Sequence, residues 1–178
     1  MIDRNYYFEP EPNIVSINIS EGGIPKLPIA CAQVGIHGLI GDGHHHEKHN
    51  NPNQAVCLQD LEILTELRAE GFSLSPGSIG ENLTVRHLNV QRLITGTILE
   101  FSGGVVLELT KERKPCYVLD DIDPKLKEVI LGRCGFYAKV LREGTLKKEA
   151  TIHVKKPLIF ETSSKEYQMF QTIPVRDF

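Results

Sequence analysis

The chain has no surplus of positive charge, no long apolar run and no closely spaced cysteine pair, and each absence argues against a class of function. A net charge of −3 over 178 residues offers no general attraction to nucleic acid or to acidic membranes. No stretch approaches the ~20 apolar residues of a membrane span, and Met1-Ile2-Asp3-Arg4-Asn5 is not followed by the apolar segment of a secretory signal. The cysteines, Cys31, Cys57, Cys116 and Cys134, are far apart and form no C-x-x-C pair. That argues against a disulfide framework and a four-cysteine zinc site, so a cytoplasmic location with reduced thiols is expected. The glycine patterns match neither a P-loop nor a dinucleotide fingerprint, and no Gly-x-Ser-x-Gly elbow, internal repeat or low-complexity tract is present.

What remains is the composition of an ordinary globular domain, 40% hydrophobic and 24% charged. Ile14 to Ile19 alternates as a strand does, and Gly22, Gly23 and Pro25 end it. Ile29 to Val34 fits a second strand. Gly35 to Gly43 carries four glycines in nine positions and reads as a loop. Ala55 to Leu58 is a short strand leading into a helix whose face is Leu61, Leu64 and Leu67, with Asp60 placed to cap it and Gly71 to stop it. Leu83 to Val85 is another strand. Thr97–Phe101 and Val105–Thr110, separated by Ser102-Gly103-Gly104, predict a hairpin. Asp123-Pro124 opens a second helix with the face Leu126, Val129 and Ile130. Tyr137–Leu141 and Thr151–Val154 complete the strands. Strands outnumber helices, and most connections are too short for repeated βαβ crossovers, so the expected fold is mainly β: a bent sheet or barrel with two helices. The domain is expected over residues 1–154, with 155–178 as a C-terminal extension.

Chemistry concentrates in Thr110-Lys111-Glu112-Arg113-Lys114-Pro115-Cys116. Cysteine reacts and binds metal as the thiolate, which neighbouring cations favour, and Lys111, Arg113 and Lys114 are such cations. Pro115 should end the strand and leave Cys116 at its mouth. The same residues fit a buried, inert cysteine. A rival is Gly43 to His49, where His44, His45, His46 and His49 supply four of the seven histidines. His45 and His49 would share a helical face and could hold a metal, although Asn50-Asn51-Pro52 makes a poor helix and an exposed polar loop is the alternative. Pro76 to Gly80 could present backbone N–H groups and Ser78 to an anion, or be a plain turn, and Glu81 argues against the anion unless its carboxylate points away. Arg113 suits phosphate or carboxylate, with Lys26 and Arg133 as distant helpers.

In order along the chain, Gly23-Ile24-Pro25-Lys26, Gly38-Leu39-Ile40-Gly41-Asp42, Gln54 to Leu58, Pro76 to Val85 and Glu108 to Cys116 resemble the MOSC family, the C-terminal domain of molybdenum cofactor sulfurases and its small bacterial-type relatives. The likeness covers residues 13 to 154. It implies a β-barrel-like fold and the molybdenum cofactor, a pterin dithiolene carrying a phosphate. The Thr-x-x-Arg-x-Pro-Cys motif places the molybdenum ligand or sulfur carrier at Cys116, with Lys26, Ser78, Asn82, Thr110, Arg113 and Arg133 as candidate cofactor contacts. The chain departs from the family at Asn50 to Gln54, where relatives have Gly-Gly-Pro-x-basic, and at Lys147-Lys148-Glu149, where relatives have Gly-Asp.

By this resemblance the expected function is reduction of N-hydroxylated compounds by a molybdenum-cofactor oxidoreductase, with electrons from a donor protein. A sulfur or cofactor carrier using a Cys116 persulfide is the alternative. It would need a separate cysteine desulfurase, and pyridoxal phosphate is expected only in that partner. A zinc-binding module or hydrolase built on His44 to His49 is the third reading. The expected ligand is a small molecule rather than nucleic acid or membrane, and an oligomer is compatible with the sequence.

Overall fold

The structure, a computed structural model, describes residues 4–6, 9–43 and 51–156. Nine strands form one sheet in the order β1 (Arg4–Tyr6), β12 (Ile152–Lys156), β8 (Ile98–Phe101), β9 (Val106–Glu112), β10 (Phe136–Arg142), β6 (Val56–Asp60), β7 (Leu83–Arg86), β2 (Asn13–Ile19) and β3 (Leu27–Ile29). A three-stranded sheet pairs β11 (Gly144–Lys147), β4 (Cys31–Gly35) and β5 (Gly38–Leu39). Two α-helices, α1 (Leu61–Ala69) and α2 (Leu126–Val129), and short 3-10 turns complete the described elements.

The fold is mainly β with two helices, as the patterning predicts. The barrel is corrected, because the large sheet does not close and its ladder ends at β1 and β3. It curls far enough for Asn13 to bridge Thr151, and the Ile14 N–H reaches the Ala150 carbonyl at 3.0 Å. That contact is one bridge rather than a ladder.

Local chemistry explains several departures from the sequence reading. The run Ile29 to Val34 splits at Ala30, so that β3 joins the large sheet while β4 enters the small one. Pro28, which has no N–H to give, sits in the edge strand where none is needed. Within the glycine-rich loop Gly38 and Leu39 pair back on β4. A Cβ on Gly38 would lie 2.1 Å from the Ala55 carbonyl oxygen, so this close approach admits no side chain. Asp60 sits at the N-cap of α1 but makes no side-chain cap; its carboxylate accepts instead from the Val90 N–H at 2.7 Å. The second helix is one turn long and begins after Lys125, with the Asp123 carboxylate accepting from the Lys125 N–H at 2.8 Å. Strand β11 carries no strand pattern in its sequence, because Gly144-Thr145-Leu146-Lys147 buries only Leu146 fully. The 147–149 turn joins two sheets, with Glu149 at φ +63°. Strand β12 runs through Lys156.

Two buried clusters result. The larger fills the curl of the sheets, and the smaller gathers Leu64, Leu67, Leu74, Ile79, Leu119, Leu126, Ile130 and Cys134 beneath the helices. No helix among the described residues is long and apolar enough to cross a membrane.

Candidate functional site

Strand β9 ends at Glu112, and the next residue turns its side chain into the protein. Arg113 is 7% exposed, its N–H donates to the Gly135 carbonyl at 2.9 Å, and its Nη2 donates to the Ile79 carbonyl at 2.5 Å. Ile79 and Cys134 belong to the small cluster, and Val56 and Leu58, which flank Cys57, to the large one. The guanidinium therefore lies where the two meet. Its Nη1 is buried without a hydrogen-bond partner. A guanidinium cannot shed its charge, so a buried donor left over on it is a place for an acceptor.

Arg113 has the Cys57 and Cys134 thiols and the Tyr137 phenol for neighbours, and Cys116 adjoins the last two. Burial pushes the Cys57 thiol up, against the pull of Arg113. Burial likewise raises Cys134 to about 11 and Tyr137 to about 12. Both buried thiols therefore stay protonated at neutral pH and are poor nucleophiles. Cys116 is the half-buried member of this group, electrostatically coupled to Cys134 and Tyr137, at the start of the 3-10 turn Tyr117–Asp121. Cys31 is exposed on β4, in the other sheet. Lys114 is exposed, and the exposed Lys111 lays its ammonium 5.6 Å above the Tyr137 ring. Of the three expected cations, then, only Arg113 faces inward.

A second group is built by the glycine-rich loops. The Lys26 ammonium is 2.5 Å from both Asp42 oxygens, and the Asn82 amide donates to Asp42 Oδ2 at 2.7 Å. The side-chain oxygen of Asn82 accepts from the Cys57 N–H at 3.0 Å. Lys26 also contributes to the field at Cys57, so this pair and the Arg113 cluster share one neighbourhood.

The remaining candidates are spent elsewhere. The Ser78 hydroxyl accepts from the Ser75 N–H at 2.8 Å within its own turn. The N–H groups of Gly77, Ser78 and Gly80 all bond inside the chain, to Glu81, Ser75 and Gly77 respectively. The Thr110 hydroxyl is 2.5 Å from the Asn53 carbonyl and 3.1 Å from that of Tyr137. The Arg133 guanidinium makes a two-pronged pair with Glu70, 2.7 Å on each side, and also bonds the Val129 carbonyl. The hydrogen bond to Glu70 raises the Arg133 pKa. His44, His45, His46 and His49 lie outside the described residues. Among the described residues no group of three or more His, Cys, Asp or Glu is placed to hold a metal.

Several residues of the site were missed by pattern reading. Ser16 and Asn18 look like the solvent face of β2, yet are 6% and 0% exposed. Asn18 donates to Thr84 Oγ1 at 3.1 Å, Thr84 donates to Glu81 Oε1 at 2.8 Å, and Ser16 donates to Asn18 at 2.7 Å. Alternation identifies two faces but not whether the polar one meets water. Glu81 points inward at 0% exposure, and Cys57 and Tyr137 carried no signal beyond apolar strands.

Comparisons with known proteins identify the family and the fold. The family profile described as MOSC domain matches residues 45–153, more than half of the chain. A protein named "Reductase" from Gibberella moniliformis is 29% identical over 133 residues, covering 70% of this chain and 23% of that protein. The uncharacterized protein YflK of Bacillus subtilis is 32% identical over 143 residues, 75% of this chain and 63% of its own length. The chain thus spans less than a quarter of the first of these relatives and under two thirds of the second. The crystal structure of YiiM from Geobacillus stearothermophilus superposes with a TM-score of 0.71 at 25% identity, over 89% of this chain and 82% of that one.

Proposed function

The chain belongs to the MOSC domain family, and from that premise we propose that it binds the molybdenum cofactor and reduces N-hydroxylated compounds, with Cys116 as the molybdenum ligand. The supporting observation is the sulfur cluster: two buried thiols with a buried guanidinium among them whose Nη1 has no hydrogen-bond partner, and the half-buried Cys116 adjoining. A thiolate suits a soft metal–sulfur centre, and Arg113 Nη1 suits an electron-rich atom of the cofactor. The residues present therefore fit the group. The relative named a reductase, 29% identical, supports an oxidoreductase role.

When bound, the cofactor supplies the two-electron redox chemistry. The chain's own residues do the rest. Cys116 would give a sulfur ligand from its half-buried position, Arg113 would hold negative charge in a low-dielectric setting, and Lys26, fixed on Asp42, would add positive charge in the same neighbourhood. The net reaction takes R–NH–OH, two electrons and two protons to R–NH2 and water. The electrons come from a donor protein.

Protein purified from a host that makes the cofactor tests this. Molybdenum and pterin near one equivalent, lost in Cys116→Ala and kept in His45→Ala, with an N-hydroxylated purine reduced by an artificial donor, is the expected result. Molybdenum-free protein would overturn it. Sulfane sulfur on Cys116 would then favour a carrier fed by a desulfurase, and zinc lost in His45→Ala or His49→Ala would favour the zinc reading.

A further inference from the structure

Glu81 is fully buried, and through Gly77 it is tied to the turn that bonds both cations of the site. Its Oε1 accepts from the Gly77 N–H at 2.7 Å and from the Thr84 hydroxyl at 2.8 Å. The Gly77 carbonyl in turn accepts from the Lys26 N–H at 2.9 Å. At Gly77, φ is +85°, and a Cβ there would lie 2.1 Å from the Lys26 carbonyl oxygen, so the two backbones are packed as closely as glycine permits. Two residues on, the Ile79 carbonyl takes the Arg113 Nη2 hydrogen bond at 2.5 Å. A Cβ on Gly80 would sit 3.5 Å from that Nη2. The turn 77–81 thus grips Lys26 by its backbone and Arg113 by its guanidinium, and Glu81 closes that turn on itself from inside.

We propose that Glu81 is a positioning residue: by pinning Gly77 it fixes the loop that sets where Lys26 and Arg113 stand. It touches no reacting atom. The turn could have been tied by any acceptor, but one aimed at Gly77 from four residues along, and braced by Thr84 and Asn18 behind it, holds the loop from two strands at once. Burial raises the Glu81 pKa, which favours the neutral acid. A neutral acid makes the amide of glutamine its near-isostere, whereas aspartate, one methylene shorter, falls short of Gly77. The inference rests on the proposed cofactor site for its functional consequence, and on the hydrogen bonds alone for its structural one.

The test compares Glu81→Gln with Glu81→Asp, with Glu81→Ala as a third variant if it folds. Amide hydrogen exchange at Gly77 and Lys26 is measured together with retention of molybdenum and pterin by protein from a cofactor-producing host. The expected result for Glu81→Asp is faster exchange at both amides, at unchanged exchange in β8 and β9, and cofactor affinity lower by about 10- to 100-fold, the usual effect of losing a supporting partner. Glu81→Gln should restore both. Adding Glu81→Asp to Arg113→Ala should lower affinity by less than the sum of the two separate losses, because part of what Glu81 does passes through that guanidinium and only the rest through Lys26. Slow exchange retained in Glu81→Asp, a Glu81→Gln variant as impaired as Glu81→Asp, or additive losses would overturn the proposal. Should the unmodified chain carry no molybdenum or pterin, the functional reading falls, while the exchange rates still decide whether Glu81 sets the position of Lys26.

Discussion

The Arg113 N–H donates to the Gly135 carbonyl at 2.9 Å, closing the base of an excursion that carries Cys116 on one leg and Cys134 on the other. Gly135 is itself clamped, since its N–H donates to the Gln91 side chain and its missing Cβ would meet the Leu58 carbonyl oxygen at 2.2 Å. The same residue that closes the excursion sends its guanidinium under the site.

Removing that guanidinium should therefore cost stability before any chemistry is considered. Arg113→Ala leaves the buried Ile79 carbonyl without its donor, and a buried acceptor left unpaired costs about 1–3 kcal/mol. Urea unfolding should show a loss of at least this size, with the cavity adding to it.

The thiols should separate by reactivity as they do by burial. Native protein treated with a neutral alkylating agent is expected to label fast at Cys31 and more slowly at Cys116, leaving Cys57 and Cys134 unmodified until urea is added. Peptide mass spectrometry reads each site, and native labelling of Cys134 at a rate near that of Cys116 would contradict the arrangement.

Asp60 gives a pH dependence with a definite sign. Burial raises its pKa from 3.8 to about 7, against the N–H groups of Asn89, Val90 and Gln91. Because the folded value lies above the unfolded one, its contribution to stability is fully present below about pH 4 and is lost as the pH rises through 7. Asp60→Asn keeps an acceptor for Val90 and cannot ionise. Its stability relative to the unmodified protein should rise between pH 4 and 7, by at most about 4 kcal/mol. Paired thermal melts across that range check it, and parallel curves would contradict it.

Two glycines of like conformation should respond differently to alanine. Gly38 and Gly104 have φ of +113° and +88°. Gly104 has open space where a Cβ would go, so Gly104→Ala should cost about 1 kcal/mol of backbone strain. Gly38→Ala must also displace the Ala55 carbonyl and should cost several times as much. Denaturant midpoints compare them directly.

Much of the fold was legible because the strands of the large sheet carry their own punctuation. Ser102-Gly103-Gly104 marks the β8–β9 hairpin, and the Gly104 N–H closes it on the Phe101 carbonyl at 2.8 Å. The small sheet was hidden because β5 is two residues long inside a glycine loop, and nothing local says that β4 abandons β3 for β11. At the site, Arg113 and Cys116 were readable from one contiguous motif. The Lys26–Asp42 pair and the Asn82 bond to Cys57 were not, because they join segments 16 and 25 residues apart in sequence. The inward turn of Glu81 is not legible in the sequence, and its carboxyl takes the Gly77 N–H that an anion would have needed.

The proposed function turns on a bond between the Cys116 sulfur and molybdenum. X-ray absorption at the molybdenum edge, on protein loaded in a cofactor-producing host, tests it most directly when the unmodified chain is compared with Cys116→Ser. The variant's metal should show one sulfur neighbour fewer, with an oxygen in its place or the metal lost altogether. An unchanged sulfur shell at full molybdenum occupancy in Cys116→Ser would contradict it.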